Sequence, residues 1–94
     1  MLDEWLLPSL QILRRAYPDG LPESDYLPLH VVMSEDFSEL GLARLVAEFI
    51  DGEVVVVEND AAAAAGSRRP SPADVERVRG HLSASGYESD ADGD

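Results

Sequence analysis

The chain is predicted to be all-α: a compact bundle of about five short helices, with a short extended link over residues 53–58. Three observations predict this. Apolar residues recur at helical spacing in separate stretches. Proline, glycine, serine and aspartate fall between those stretches, where helices start and stop. The length of 94 residues, 45% of them apolar, suits one hydrophobic core and is short for two.

The first helix is read over 5–16, where Leu6, Leu10, Leu13 and Tyr17 share one face. Pro8 falls in its first turn, and Arg14 and Arg15 sit at its carbonyl end. Pro18 disfavours helical geometry at Tyr17, and "YPDG" then fits a type I turn. The second helix is read from Asp25 as N-cap, with Pro28 at its third position, and runs to about Met33 with Tyr26, Leu29 and Met33 on one face. Ser34 or Ser38 caps the third helix. Leu42, Leu45, Val46, Phe49 and Ile50 mark that helix, the clearest amphipathic repeat in the chain, ended by Asp51-Gly52. "EVVVVEN" has strand propensity, so it is read as an extended link that pairs near 21–24. "NDAAAAAG" reads as a short fourth helix capped at Asn59. In the last helix Ser71 is the N-cap, Pro72 the first position and Asp74 the third, with Val75, Val78 and Leu82 inward and Gly86 as the stop. Residues 1–87 are thus expected to form one helical domain and 88–94 an acidic, disordered tail.

Composition narrows the function. The chain has no cysteine, so disulfides, thiolate metal sites and a cysteine nucleophile are excluded. Neither "WLLP" nor "VVVV" approaches a membrane span, and the acidic start "MLDE" is unlike a secretory signal, so a cytoplasmic protein without a membrane partner is expected. All seven basic residues are arginine, and the net charge is −12. Residues 1–66 carry three arginines against thirteen acids, whereas 67–82 carry four against two. A phosphate backbone would be repelled by most of this surface.

The stretches "AYPDGLPESDYLPL" and "PSPADVERVRGHLSASGY" together resemble the paired signatures of an actinobacterial domain-of-unknown-function family, numbered 3349. The residues that carry the likeness are Tyr17, Pro18, Asp19, Gly20, Pro22, Asp25, Tyr26, Pro28 and Leu29, then Pro72, Asp74, Val75, Arg77 and Val78. The likeness spans residues 10–87. It departs at Tyr87, where the family usually has tryptophan and proline, and at "VVVV". The resemblance implies a small all-helical domain and implies no activity.

Candidate chemistry is sparse. There is no nucleophile elbow, phosphate loop or dinucleotide fingerprint, so an enzyme is not expected. His30 and His81 are the only histidines, without an HExxH or H-x-x-x-H pattern, so no metal or other cofactor is expected; His30 is read as a partly exposed surface residue near Glu35 and Asp36. Asp90, Asp92 and Asp94 imitate the start of a calcium loop but lack its remaining ligands. Tyr17, Asp19, Asp25 and Tyr26 are the candidate protein-binding residues, because aromatic rings with polar tips suit interfaces. The competing reading has both rings sealing the corner between the first two helices, with their hydroxyls bonded to loop backbone. Arg68, Arg69, Arg77 and Arg79 are the candidate nucleic-acid contacts, on a helix that could pass for a recognition helix. The expected function is a non-catalytic module that binds another protein, a basic one by charge, with a helix-turn-helix-like nucleic-acid binder as the alternative. Self-association through Val54–Val57 is a third reading.

Overall fold

The computed structural model describes residues 4–87, so the 88–94 tail and its aspartates lie outside the described residues. A 3₁₀ turn, Glu4–Leu6, leads into five helices: α1 (Leu7–Ala16), α2 (Glu23–Met33), α3 (Glu39–Ile50), α4 (Val54–Ala65) and α5 (Pro72–Ala84). The all-helical prediction holds among the described residues.

Local chemistry explains most of the boundaries. Pro8 occupies the first turn of α1, and the Tyr17 N–H closes the helix by donating to the Leu13 carbonyl at 2.9 Å. The Gly20 N–H then donates to the Tyr17 carbonyl at 3.1 Å, completing the "YPDG" turn with Gly20 at φ +102°. Ser38 Oγ accepts from the Gly41 N–H at 3.1 Å and starts α3. Ser71 does the same for the Asp74 N–H at 3.2 Å and starts α5. α3 stops at Asp51, which takes the left-handed conformation (φ 57°), and the Gly52 N–H returns to the Ala47 carbonyl at 2.9 Å.

Two sequence expectations are corrected. α2 begins at Glu23 with Pro22 in the N-cap position, not at Asp25. Asp25 is therefore inside the first turn, where a carboxylate favours the positive end of the helix dipole. Pro28 is also inside the helix, where it has no N–H to donate to the carbonyl of Ser24, an exposed residue.

The second correction is larger. Residues 53–58 are not an extended link, and no strand occurs among the described residues. "VVVV" and the alanine run form one continuous helix, α4. Valine's helix penalty is a few tenths of a kcal/mol per residue, roughly, and the alanines that follow carry none. The inward face decides the outcome. Val57 and Ala64 are buried, and Val54 and Ala61 are half-buried, at helical spacing. Val55 and Val56 point outward at 60% and 50% exposure.

The helices close into a ring: α1 packs on α3, α3 on α4, α4 on α2, α2 on α5, and α5 on α1. One cluster fills the centre, with Leu6, Leu13, Leu29, Leu45, Val78 and Leu82 inaccessible to solvent. α2 lies between α4 and α5, so Leu29, His30, Val32 and Met33 are all buried, and α2 has no single apolar stripe.

Candidate functional site

The proline-rich corner is an internal lock. Tyr17, which ends α1, is buried, and its ring lies 6.4 Å from Phe49 and 4.8 Å from His81, centre to centre. Its hydroxyl donates to Asp25 Oδ2 at 2.9 Å. Arg77 Nη1 reaches across from α5 to Asp25 Oδ1 at 2.5 Å, and Ser24 Oγ donates to the same oxygen at 3.3 Å. Burial alone would raise the Asp25 pKa, but the hydrogen bonds from Arg77 and Tyr17 outweigh it and hold the carboxyl below its ordinary range. Burial, with the carboxylate beside it, pushes the Tyr17 phenol well above its ordinary value. Tyr26 is half-buried and donates to Asp60 Oδ2 on α4 at 2.8 Å, and burial and that carboxylate raise its pKa as well.

Of the four candidate protein-binding residues, Tyr17 and Asp25 are therefore closed to solvent, Tyr26 is partly covered, and Asp19 is exposed on the turn. The Tyr17 ring is buried at the corner, whereas the Tyr26 ring packs on His30 and bonds toward α4; both hydroxyls meet carboxylates, not loop backbone. The residues that carry the family likeness thus hold α1, α2 and α5 together.

The arginines do not form one free cationic face. Arg77 engages Asp25 and also approaches Asp74 at 3.5 Å. Arg79 grips Glu35 with both terminal nitrogens, at 3.0 and 3.2 Å, and lies 3.4 Å from Glu76. The Tyr87 hydroxyl adds a hydrogen bond to Asp36. α5 is thereby pinned to both ends of α2, and two of the four candidate nucleic-acid residues serve that attachment. Arg68 and Arg69 are exposed and form no ion pair among the described residues.

A groove of about 600 Å³ lies between α2 and α4, with residues at the start of α3 also lining it. Its floor is narrow in side chain because α4 contributes alanines, among them Ala61 and Ala64. Phe37 and Leu42 add apolar wall, Glu39 and Glu58 stand on the rim, and Arg69 also borders it. Glu39 and Glu58 form no ion pair among the described residues. Phe37 continues the wall outward: its ring stacks at 6.3 Å on Trp5, which is 61% exposed.

His30 belongs to the wall of this groove and corrects a sequence expectation. The sequence places it at the surface, but it is 1% exposed, because both α4 and α5 cover α2. Its Nδ1 lies 2.8 Å from the Tyr26 carbonyl. A carbonyl only accepts, so Nδ1 carries the proton. Burial lowers the imidazole pKa, which keeps the ring neutral. Nε2 is then a bare lone pair; it is closed to solvent and has no hydrogen-bond partner. Sequence reasoning missed both the groove and this acceptor. The available signals were the five alanines, too small to fill a helix–helix gap, and the four-residue spacing of Tyr26 and His30, whose rings meet edge-on at 4.7 Å.

Fold and site define a small all-helical domain with a buried polar lock on one side and an acidic-rimmed groove on another. Among the described residues no helix is long and apolar enough to cross a membrane, and no three histidine or carboxylate side chains gather as a metal-binding group. Residues 4–91 match the model of the family described as protein of unknown function (DUF3349), and the chain belongs to that family. Searches among curated proteins and among solved structures gave no significant match.

Proposed function

We propose that this domain is a non-catalytic module that binds a basic, amphipathic segment of another protein in the α2–α4 groove. The observation that carries this reading is the pairing of an apolar, alanine-floored groove with two rim carboxylates, Glu39 and Glu58, that no described residue neutralises. A groove of this kind suits the apolar face of a helix, and rim charge selects the sign of its polar face. The exposed Trp5–Phe37 stack extends the apolar surface past the groove's end. The net charge of −12 steers a cationic partner toward the molecule, faster at low salt. The Tyr17–Asp25 corner supports this role indirectly, by fixing α2.

Trp5 is the only tryptophan and stacks on Phe37 of the groove wall, so its fluorescence reports occupancy. A synthetic leucine–lysine helical peptide is expected to bind and a leucine–glutamate counterpart is not. Added salt, or the double change Glu39→Gln and Glu58→Gln, is expected to weaken binding several-fold. Equal binding of both peptides, or binding of neither, defeats the proposal. The nucleic-acid alternative draws on Arg68 and Arg69, which no described residue pairs. Titration with random duplex DNA at low salt decides it, since binding that vanishes in the R68Q/R69Q variant would favour that reading.

A further inference from the structure

We infer that His30 Nε2 is the anchoring acceptor of the groove, and that the segment it accepts inserts a lysine side chain. This rests on the groove being a protein-binding site and adds the chemistry of its occupant. A neutral imidazole whose Nδ1–H is already directed at the Tyr26 carbonyl can only accept at Nε2, so the group that completes it must be a donor. Left as it is, the acceptor is a standing defect of the fold, since a buried polar atom without a partner is destabilising. Filling the position with an apolar ring would remove that defect. Its presence in the wall of the α2–α4 groove is explained if a partner satisfies it.

Two features select lysine among donors. Nε2 is closed to solvent, so a donor reaches it only by parting the groove wall beside His30. A slim four-carbon stem does so more readily than a flat guanidinium, and it lies against the alanine floor with its methylenes buried. The ammonium has three donors. One meets Nε2, and the acidic rim that Glu39 and Glu58 supply complements the positive charge.

The test uses the full chain with two leucine-rich helical peptides, identical except that one lysine on the buried face is norleucine in the second. Wild-type protein should bind the lysine peptide about ten-fold or more tightly than the norleucine peptide, the scale of one hydrogen bond to a charged group. His30→Phe should lose that preference while its thermal midpoint stays level or rises, because an unpartnered acceptor has been removed. A second readout needs no variant: the ¹⁵N resonance of His30 Nε2 should shift with the lysine peptide and stay put with the norleucine peptide. If wild type and H30F keep the same preference, or the Nε2 resonance is indifferent to lysine, the anchor is wrong while groove binding stands. If neither peptide binds the wild type, the groove reading itself fails and the anchor falls with it.

Discussion

At Asp25 three donors converge on one carboxylate: the Tyr17 hydroxyl, the Arg77 guanidinium and Ser24 Oγ. Asp25→Ala leaves the buried Tyr17 hydroxyl without an acceptor and is expected to lower stability by about 1–3 kcal/mol, read as a shifted urea midpoint at constant slope. Tyr17→Phe keeps the Arg77 contact and is expected to cost only about 1 kcal/mol. The pH dependence follows from the same groups. Asp25 titrates lower in the fold than its ordinary 3.8, so its contribution is complete above that value and is lost as pH falls through the folded one. His30 also titrates lower in the fold than its ordinary 6.5. Below that pH the unfolded chain takes a proton that the buried ring refuses, so stability begins to fall there. Urea midpoints measured downward from neutral pH should decline in both ranges, and H30F should abolish the upper one. Tyr17 and Tyr26 titrate above their ordinary 10.0, so their share is present below that and lost as pH rises; their tyrosinate absorbance should appear late.

At the scale of elements, α3 ends on a strained residue. Asp51 holds φ 57° where glycine would be unstrained, and an L side chain there carries a penalty of about 1 kcal/mol. Asp51→Gly is expected to raise the thermal midpoint by a few degrees, the shift that roughly 1 kcal/mol produces in a domain of this size. α3 and α5 were legible in the sequence because each carries its cap and stop beside an inward face set by sequence spacing. α4 was half legible: its alanine half was read as a helix, but the four valines before it speak for a strand when taken alone. The inward spacing of Val54, Val57, Ala61 and Ala64 tells otherwise only when the alanines count as core residues. The burial of His30 was illegible for a different reason. Covered by α4 and α5 together, α2 has no polar face from which a surface position could be told.

For the whole molecule, the closed ring of helices is the defining property. Among its five contacts only α3–α4 joins successive helices, so the rest of the arrangement could not be read from chain order. It also makes the core common property. Leu29 on α2 is inaccessible to solvent at its centre, and Leu29→Ala is expected to cost about 2–5 kcal/mol in one cooperative transition, not to loosen α2 alone. The family signature belongs to this scale too: Tyr17, Asp25 and Arg77 join three of the ring's members, whereas the groove is built from residues outside that signature.

The segment between α4 and α5 is short and exposed at Arg68 and Arg69, whereas α5 is held from the side by Arg77, Arg79, Val78 and Leu82. Covalent continuity there is therefore dispensable once the molecule has assembled. Limited trypsin digestion should sever the backbone after Arg68, since Pro70 protects the bond after Arg69, and the two fragments should still elute together on gel filtration until denaturant parts them.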